Sequence, residues 1–446
     1  MRGPPLILNG PSMRVFHVVA CLAAVASCAP AGQRASGGYA EPRCCIEEGH
    51  AVAERHRVDA ITSRKFTHAG LWSALAPSLA APGVKVGEAG MSMQGRPIRT
   101  VTFGNGPVTV LLWSQMHGDE STATMSLGDI IAWFASTSPA APELRARLAS
   151  RLKVVMIPML NPDGAELFQR ENAIGIDINR DARNLSTPEA RLLKAVRDSL
   201  EPQFGFNLHD QNARTLTGSN GSQVAIALLA PAADEERSYG PTRTTARKVA
   251  SVIAAVLRKE IPGRLARYND AHEPRAFGDL MQQWGTSTVL IESGAMPDDP
   301  EKQKLRTLNV VAILSALDAM ATGSWKAADI AAYEGIPSNS RSAVDLLVRG
   351  GSIVMSGGEP VRADIALNYE EAVAKHDLRL RDVGDLRAQV ALDTVDVTGL
   401  YLHPAASMLT QRGTALWMRF DTTATLTVRR GQQVASDSVS TIGGSR

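Results

Sequence analysis

Cysteine is scarce in this sequence. The 446 residues include four cysteines, which is too few for a disulfide scaffold. Cys44 and Cys45 are neighbours, and adjacent cysteines rarely bridge each other, while Cys21 and Cys28 lie close to the N-terminus. A metal site in the rest of the chain is therefore expected to use histidine and carboxylate ligands rather than thiolates.

Aromatic residues and excess charge are also low. Phe, Trp and Tyr together make up 5% of the chain, so the core must consist mainly of Leu, Val, Ile and Ala. The formal net charge is +2 and no basic stripe is interleaved with aromatics, so nothing indicates nucleic-acid binding. With 44% hydrophobic and 21% charged residues, the chain has globular composition and is long enough for one large domain and a smaller one.

The chain also lacks an uninterrupted apolar run long enough to cross a membrane, and a shorter apolar run lies near the N-terminus. Arg14 precedes an apolar stretch at 15–24 that is too short to cross a membrane and is typical of a secretory signal. It ends in Val-Ala-Ser-Cys28, which resembles a bacterial lipobox whose Cys becomes the lipidated first residue. We expect an exported lipoprotein of the cell envelope, with residues 1–28 as signal peptide and 29–45 as tether. The alternative is an ordinary signal and a periplasmic or secreted protein without the lipid anchor.

Hydrophobic periodicity predicts an α/β domain over residues 46–337. Residues 46–80 have helical spacing, and 84–95 is a Gly-rich, turn-like segment. Strands are predicted at 96–103, 108–113, 154–159, 204–208, 224–229 and 288–291. Helices are predicted at 121–136, with Ser121 as N-cap, and at 187–200, 241–261 and 300–320. This alternation predicts a mixed, mostly parallel sheet covered by helices on both faces.

The C-terminal part has a different pattern. Residues 338–446 contain short strand-like runs at 345–348, 352–355, 363–367 and 423–428, separated by Gly-containing turns. Such runs predict a small all-β domain, built as a sandwich.

Polar side chains stand at the ends of three predicted strands. His117 and Glu120 follow the strand at 108–113, His209 follows the strand at 204–208, and Glu292 follows the strand at 288–291. Ligands bind at the carboxyl ends of strands in open α/β sheets, and two His with one Glu can hold a catalytic zinc ion. Taken singly, each residue has another explanation, such as a hydrogen-bonded structural His or a carboxylate meeting solvent.

The segment between the first two of these strand ends is rich in polar motifs. Asn161-Pro-Asp-Gly164 is typical of a tight turn. Beyond Arg170, the short extended segment Gly175-Ile-Asp177-Ile-Asn179-Arg180 follows. Arg180 could bind a carboxylate bidentately while the amide of Asn179 donates to it. A surface charge cluster is the alternative interpretation.

Together these motifs resemble the zinc metallocarboxypeptidases, the carboxypeptidase A-like peptidases. The resemblance covers about residues 84–320 and includes the lead-in at 90–98. It rests on the order of the motifs, which are His117-x-x-Glu120, Asn161-Pro-Asp-Gly164, Arg170, Gly175-x-Asp177-x-Asn179-Arg180, His209 and Glu292.

The resemblance implies a role for each of these residues. His117, Glu120 and His209 would bind one zinc ion, a ligand set of the carboxypeptidase A type. Glu292 would be the general base for the zinc-bound water, and Arg170 would polarise the scissile carbonyl and stabilise the oxyanion. Asn179 and Arg180 would hold the terminal carboxylate of the peptide, and Asp177 would orient His117 by accepting its other ring N–H. The family's Tyr on a mobile loop has no counterpart that can be aligned securely; Tyr268 lies in that region.

The predicted function is an exported zinc carboxypeptidase that hydrolyses the C-terminal bond of peptides, with cell-wall peptides as one candidate substrate. One alternative is a zinc-dependent deacylase of N-acyl amino acids, related to the desuccinylase and aspartoacylase group. Another is an inactive binding module, although that reading predicts the loss of a ligand or of the base. Serine hydrolysis is not indicated, because the chain has no Gly-x-Ser-x-Gly.

Overall fold

The structure is a computed structural model that describes residues 45–219, 221–340, 343–356 and 358–444. The α-helices of this part are α1 (Ile46–Arg55), α2 (His68–Leu79), α3 (Thr122–Ala135), α4 (Pro142–Arg151), α5 (Pro162–Leu167), α6 (Pro188–Leu200), α7 (Pro241–Glu260), α8 (Phe277–Gln283), α9 (Gln303–Thr322) and α10 (Ala331–Glu334). Short 3-10 helices span Ile178–Arg180, Ser324–Ala327 and Ala406–Met408.

The strands fall into two groups along the chain. The first group is β1 (Val84–Met91), β2 (Pro97–Phe103), β3 (Val108–Ser114), β4 (Leu152–Ile157), β5 (Phe204–Asp210), β6 (Leu216–Thr217), β7 (Ile226–Leu229), β8 (Leu265–Arg267) and β9 (Ser287–Ser293). The second group is β10 (Asn339–Ser340), β11 (Ala343–Arg349), β12 (Ser352–Ile353), β13 (Val361–Arg362), β14 (Asp364–Glu371), β15 (His376–Gly384), β16 (Val390–Asp396), β17 (Tyr401–Pro404), β18 (Leu409–Arg412), β19 (Ala415–Met418), β20 (Thr425–Arg429) and β21 (Ser438–Gly443).

Eight strands of the first group form one sheet, in the order β1-β2-β4-β3-β5-β9-β7-β8. The pairs β4–β3, β3–β5, β5–β9 and β7–β8 are parallel, and the pairs β1–β2, β2–β4 and β9–β7 are antiparallel. The predicted mixed, mostly parallel sheet is therefore confirmed. Because β4, β3, β5 and β9 run the same way, their carboxyl ends share one edge of the sheet.

Helices cover both faces of this sheet, as predicted. Alternate residues of a strand point to opposite faces, and in β3 Val110 and Leu112 join one apolar cluster while Leu111 and Trp113 join another. The first cluster includes residues of α1, α2, α3, α4, α7 and α9, and the second includes residues of α6 and α8. Asn207 and His209 of β5 point away from the first cluster, which takes Phe206 and Leu208.

The longest apolar helix of the described residues is part of this core. α9 alone in that part has the length and hydropathy of a membrane-crossing helix, and 83% of its most apolar window is buried in the protein. A fully buried ion pair joins it to α3, because Arg306 donates from Nε to Asp129 Oδ2 at 2.7 Å. These features are those of a core helix.

The second group of strands forms the β-rich C-terminal region that the sequence predicted. Its main sheets have the orders β15-β14-β11-β16 and β13-β12-β17-β20-β21. One apolar cluster contains residues of both sheets, for example Ile365 of β14 and Val428 of β20, so the two sheets pack on each other as a sandwich does. β10 pairs with β6 of the first group. The predicted boundary at 337/338 stays a prediction.

Several local predictions are wrong. Residues 84–91 form strand β1 rather than a Gly-rich turn, because all of them except Ala89, at a bulge, pair with β2. The Ser121 side chain does not cap α3; its Oγ donates to the carbonyl of Arg64 at 2.5 Å. The segment at 178–180 is a 3-10 helix rather than extended chain, and Asn161-Pro-Asp-Gly164 begins helix α5. The signal peptide, the Cys28 lipobox and the tether up to residue 44 lie outside the described residues.

Candidate metal centre and active site

A sharp backbone turn after β3 directs the His117 loop toward the carboxyl edge of the sheet. Gln115 has a φ of 50°, a left-handed conformation that is unfavourable for a non-glycine residue and is often found at functional sites. Its side chain donates from Nε2 to the Gly118 carbonyl at 2.9 Å, and its own carbonyl accepts from the Asn161 N–H at 3.0 Å. The strained turn is therefore held by bonds on both sides.

The Asn161–Gly164 segment packs against this loop. The Asn161 side chain accepts from the Gly164 N–H at 2.9 Å and so caps α5. A Cβ added to Gly118 would lie 2.1 Å from the carbonyl carbon of Gly164, so the two backbones meet at a distance that only glycine allows. The motif that the sequence shows as a turn thus supports the loop that carries His117.

A buried carboxylate links the lead-in segment to the same support. Asp163 accepts hydrogen bonds from Ser92 Oγ and the Gln94 N–H, both at 2.8 Å, and from Arg96 Nη1 at 2.6 Å. The turn between β1 and β2 is therefore fixed to the start of α5. This explains in physical terms why residues 90–98 accompany the Asn161 motif.

His117, Glu120 and His209 come together as the sequence predicted. Their ligand atoms all lie within 4.8 Å of one another, and all three residues are buried. Glu120 Oε1 is 2.8 Å from His117 Nδ1, Glu120 Oε2 is 2.7 Å from His209 Nδ1, and the two Nδ1 atoms are 3.2 Å apart. One carboxylate and two imidazoles therefore direct their polar atoms to a single point.

The hydrogen bonds around this group fit a cation at that point. Asp177 Oδ1 lies 2.9 Å from His117 Nε2, so it accepts the ring N–H there and leaves a lone pair on Nδ1. In the described part of the chain His209 Nε2 has no hydrogen-bond partner, so only Nδ1 of that ring faces the group. Two imidazole nitrogens and a carboxylate are a typical ligand set for zinc, to which water adds the fourth ligand.

The charges of the group are strongly coupled. Burial acts to lower the pKa of His117, but the charge of Glu120 and the hydrogen bonds to Asp177 and Glu120 outweigh it and raise the pKa to about 9. A cation that binds Nδ1 would therefore replace a proton there. Burial lowers the pKa of His209. Burial opposes ionisation of Glu120, yet the two imidazoles hold its pKa well below the usual range. The site thus keeps a carboxylate ionised in a dry environment, which favours a bound cation.

Glu292 lies next to the metal ligands because of the strand register. In the β5–β9 pair His209 is directly opposite Glu292, and side chains of directly opposed residues lie on the same face of a sheet. Glu292 is 7% exposed and borders the same cavity as the three metal ligands. Glu292 therefore lies on the same side of the sheet as His209, at the cavity that the metal ligands border.

Arg170 connects the metal ligands to Asp177. It donates from Nε and Nη2 to Asp177 Oδ2 at 3.1 and 2.9 Å, and its Nη1 lies 3.2 Å from Glu120 Oε1. Burial opposes the charge of Arg170, but Glu120 and Asp177 raise its pKa further. The guanidinium is half-buried and stays charged at the edge of the cluster.

Asn179 and Arg180 lie on the 3-10 helix that Asp177 caps. Asp177 Oδ1 accepts from the Asn179 N–H at 2.8 Å, so the residue that contacts His117 also positions Asn179. The Asn179 side-chain oxygen accepts from the Phe277 N–H at 2.9 Å, which leaves the amide NH₂ for another acceptor. Arg180 Nε is 3.3 Å from Glu273 Oε2.

One cavity of about 620 Å³ joins these side chains. It is bordered by seven of the eight residues named from the sequence, which are His117, Glu120, Arg170, Asn179, Arg180, His209 and Glu292. The eighth, Asp177, contacts the cluster through His117 and Arg170. Their catalytic and substrate-binding roles remain predictions.

The cavity also has lining residues that the sequence reasoning left out, which are Arg64, Phe168, Asp210, Tyr268, Asp279, Lys302 and Val373 among others. Asp210 follows His209 directly, so its position was a usable signal. Its Oδ2 accepts from Lys302 Nζ at 2.9 Å. Val373 belongs to the C-terminal region, and no local pattern connects it to the site.

Asp279 is one of the lining residues whose charge burial opposes. Its Oδ1 accepts from the Glu273 N–H at 3.1 Å and lies 3.3 Å from His272 Nδ1. Burial raises the pKa of Asp279 to about 6, although these two contacts act in the opposite direction. The charge of this carboxylate therefore changes at about pH 6.

Comparison with known proteins agrees with this geometry. Residues 79–262 match the family model described as zinc carboxypeptidase. Over that range the chain is similar to the zinc carboxypeptidases. The matched range contains His117, Glu120, Arg170, Asn179, Arg180 and His209, but it ends before Glu292. The position of Glu292 is therefore known from the β5–β9 register alone.

Similar proteins carry related names. A stretch of 104 residues is 28% identical to Carboxypeptidase 2 of Trichophyton rubrum, and it covers 23% of this chain and 19% of that protein. Carboxypeptidase 2 of Trichophyton tonsurans matches with the same identity and coverage. The chain thus spans about a fifth of the length of the curated relatives that it matches.

Two solved structures are similar as well. A metallo-carboxypeptidase from Burkholderia cenocepacia has a TM-score of 0.46 and 18% identity, over 57% of this chain and 70% of that one. A metallo-carboxypeptidase from Pseudomonas aeruginosa has a TM-score of 0.40 and 20% identity, over 56% of this chain and 67% of that one.

Proposed function

We propose that this chain is a zinc-dependent carboxypeptidase that removes C-terminal residues from peptides with a free terminal carboxylate. The observation that carries the proposal is the shared cavity, which brings a two-His, one-Glu cluster together with Glu292, Arg170, Asn179 and Arg180. The family match supports the same chemistry. Zinc held by His117, Glu120 and His209 would lower the pKa of water toward ~7 and polarise the scissile carbonyl.

Glu292 acts as general base in this proposal. Its carboxylate takes a proton from the attacking water and passes it to the amine that leaves when the C–N bond breaks. The β5–β9 register supports this role, since Glu292 is directly opposite the ligand His209. Arg170 donates to the developing oxyanion from its Nη1, which lies at the edge of the metal cluster.

Asn179 and Arg180 bind the terminal carboxylate of the substrate. The Asn179 amide NH₂ and the Arg180 guanidinium can donate together, and Arg suits bidentate carboxylate binding. Arg180 pairs with Glu273 Oε2 at 3.3 Å in the structure, so an incoming carboxylate exchanges with a half-exposed partner. This arrangement favours a substrate that ends in a free carboxylate.

A substrate panel tests the proposal. Purified protein with zinc is incubated with blocked dipeptides, with the same dipeptides amidated at the C-terminus, and with N-acyl amino acids, and products are identified by mass spectrometry. We expect release of the C-terminal amino acid from the free-acid dipeptides and none from the amides, because the amide lacks the charge that Arg180 binds. Turnover of N-acyl amino acids alone would instead support the deacylase.

We also propose that the protein is exported and anchored by a lipid on Cys28, with peptides of the cell wall as the substrate class to test first. Support comes from the sequence at 14–28, where a charged residue, an apolar run and a lipobox-like end follow in order. Labelling with a radioactive fatty acid should depend on Cys28. A Cys28→Ser protein that still takes up label would contradict lipidation.

A further inference from the structure

One wall of the active-site cavity is built partly by the C-terminal β-rich region. Arg64, Phe168 and Val373 line the cavity, and we call these three residues the β14–β15 wall, because Val373 lies in the turn between those strands. Arg64 lies before α2, Phe168 follows α5, and Val373 belongs to the second group of strands. The C-terminal region therefore contributes a side chain to the site that the metal ligands border.

An ion-pair cluster fixes the β14–β15 turn at this place. Glu371, the last residue of β14, accepts from the Arg64 guanidinium through Oε1 and from Lys65 Nζ at 3.1 Å through Oε2. The Arg64 side chain is 9% exposed, so this pair is far less screened than one at the surface. Arg64 and Lys65 therefore hold the chain at Glu371, two residues before Val373.

The same two cations hold the aromatic member of the wall. The Arg64 guanidinium lies 5.0 Å and Lys65 Nζ 5.1 Å from the centroid of the Phe168 ring, distances at which a cation is attracted to an aromatic face. Phe168 itself has a φ of 49° at the end of α5, a conformation that needs support from its surroundings. Arg64 and Lys65 thus order Phe168 and the β14–β15 turn together.

A second anchor holds β14 at Tyr369, two residues before Glu371. Arg214 donates from Nε and Nη2 to Asp345 Oδ2 at 2.9 and 2.7 Å, and also to the carbonyl of Tyr369. Asp345 Oδ2 accepts from the Tyr369 N–H at 2.7 Å as well. Since Arg214 follows β5, which carries His209, this anchor connects β14 to the strand that bears a metal ligand. The position of Val373 is fixed at two points.

The wall and the carboxylate site belong to different groups of contacts. Arg180 contacts Glu273, and Asn179 accepts from the Phe277 N–H, whereas the wall is held through Glu371 and Lys65. A peptide with its carboxylate at Arg180 and its scissile carbonyl at the metal ligands already occupies the space around Arg180 and Asn179. Its residues on the amino side of the scissile bond must then face other lining residues of the cavity.

We propose that the β14–β15 wall binds the side chain of the residue immediately before the scissile bond. This inference rests on the proposed carboxypeptidase function. Phe168 and Val373 offer apolar contact. Arg64 and its neighbour Lys65 face one carboxylate, Glu371, so the wall together with the two residues that hold it carries one positive charge in excess. It therefore selects an apolar or acidic residue at that position and disfavours a basic one.

Kinetics on paired peptides tests this selection. The substrates share a C-terminal residue and carry Leu, Glu or Lys before it, and kcat/KM is measured for wild type, Val373→Asp and the control Val361→Asp, whose valine is exposed on β13. Wild type should prefer Leu and Glu over Lys. Val373→Asp should lower the Leu-to-Lys ratio of kcat/KM by about tenfold, the scale of losing one apolar contact and adding an opposite charge, and the control should leave it unchanged.

A matched pair of glutamates tests the anchoring. Glu371→Gln removes the charge that holds Arg64 and Lys65, while Glu370→Gln removes a neighbouring charge that pairs with Arg379 instead. Glu371→Gln leaves the wall more positive, so it should raise the same ratio by disfavouring Lys further, and loosening of the turn should raise KM more than it lowers kcat; Glu370→Gln should do neither. An unchanged ratio in both Val373→Asp and Glu371→Gln, in protein that still cleaves peptides, would overturn the inference and leave the proposed function intact.

A readout without turnover separates the two proposals. Val373→Cys, or Val361→Cys as control, is made in the full chain carrying Glu292→Gln, and alkylation of the introduced thiol by iodoacetamide is followed by peptide mapping. The free-acid peptide with Leu before its last residue should slow alkylation at 373 and not at 361. If wild type cleaves no peptide, the proposed function fails, and this protection alone tests whether the wall binds the peptide. Equal alkylation rates with and without peptide would overturn it.

Discussion

Arg170 contacts two different parts of this site at once. Its Nε and Nη2 hold Asp177, while Nη1 reaches the edge of the metal cluster next to Glu120. Asp177 in turn contacts His117. The guanidinium can therefore act on a substrate through Nη1 while its other nitrogens keep the support of His117 in place.

Replacing Arg170 by Ala should reduce turnover and retain zinc. The change removes the contacts of Arg170 Nη1 with Glu120 Oε1 and His117 Nδ1. His117, Glu120 and His209 still keep their positions through their strand ends, and Asp177 still accepts from His117, so the metal ligands should stay in place. The loss of one oxyanion donor typically lowers kcat by about 100- to 1000-fold. Metal analysis and peptide kinetics on the same sample check this; a variant without zinc would contradict the role assigned to Arg170.

Asp279 gives a pH-dependent prediction. Because burial raises its pKa to about 6 from an ordinary 3.8, the folded protein binds more protons than the unfolded chain between these two values. Stability should therefore fall as the pH rises from 3.8 to about 6 and become constant above, as far as this group contributes. Asp279→Asn has no such charge, so its thermal midpoint should rise relative to that of wild type as the pH increases across this range.

Thermal unfolding scans of wild type and Asp279→Asn between roughly pH 4 and 7 measure the difference. The gap between the two midpoints should widen with rising pH up to about 6. Parallel profiles would show that the folded protein does not shift the pKa of Asp279 as burial implies.

At the scale of single residues the sequence predicted the site better than it predicted the surroundings of the site. The ligand candidates and Glu292 could be named because each follows an apolar strand, where chain position already implies location in the sheet. Phe168 and Val373 could not, because they meet through packing between segments about 200 residues apart. Tyr268 lines the cavity too, although no spacing rule assigned it.

At the scale of elements, the loop after β3 and the start of α5 behave as one unit. Gly118 and Gly164 bring the two backbones into contact, and Asn161 bonds both to its own helix and to the carbonyl of Arg170, at 3.3 Å. Helix α5 is only six residues long, so its stability comes from these contacts rather than from helix propensity. The position of His117 depends on them.

Gly118→Ala should therefore disturb the metal site. The new methyl group would meet the Gly164 backbone at 2.1 Å, which forces the His117 loop to move. We expect a loss of about 1–3 kcal/mol in stability from overpacking and a fall of about 10- to 100-fold in zinc affinity, as when the support of a ligand is lost. Gly358→Ala is the control, since its nearest atom would lie 3.9 Å away. Equal zinc affinities in both variants would contradict the dependence.

The elements that the sequence missed share a physical cause. Strand β1 contains glycines and exposed residues, so it lacks the apolar alternation that marks a strand, and its pairing with β2 decides its conformation. The 3-10 helix at 178–180 forms because the Asp177 side chain accepts from the Asn179 N–H. Local polar side chains and strand pairing thus overrule propensity at the edges of the sheet, while the buried central strands followed their apolar runs.

At the scale of the whole molecule, two regions with separate apolar cores meet at the active site. The main sheet places the metal ligands and Glu292 at the carboxyl ends of β3, β5 and β9. The C-terminal sheets add the turn after β14, held by Arg64, Lys65 and Arg214. The composition predicted the two regions, but it could not show that they share a cavity, because ion pairs between distant segments leave no periodic pattern in a sequence.

The central claim is that this molecule hydrolyses peptides with a bound zinc ion and Glu292 as base. Its most direct test is zinc content and single-turnover peptide cleavage, measured on the same preparations of wild type, Glu292→Gln and His209→Ala. We predict one zinc ion per chain in wild type and Glu292→Gln, cleavage in wild type alone, and loss of both zinc and cleavage in His209→Ala. Glu292→Gln that binds zinc and cleaves the peptide at the wild-type rate would contradict the account.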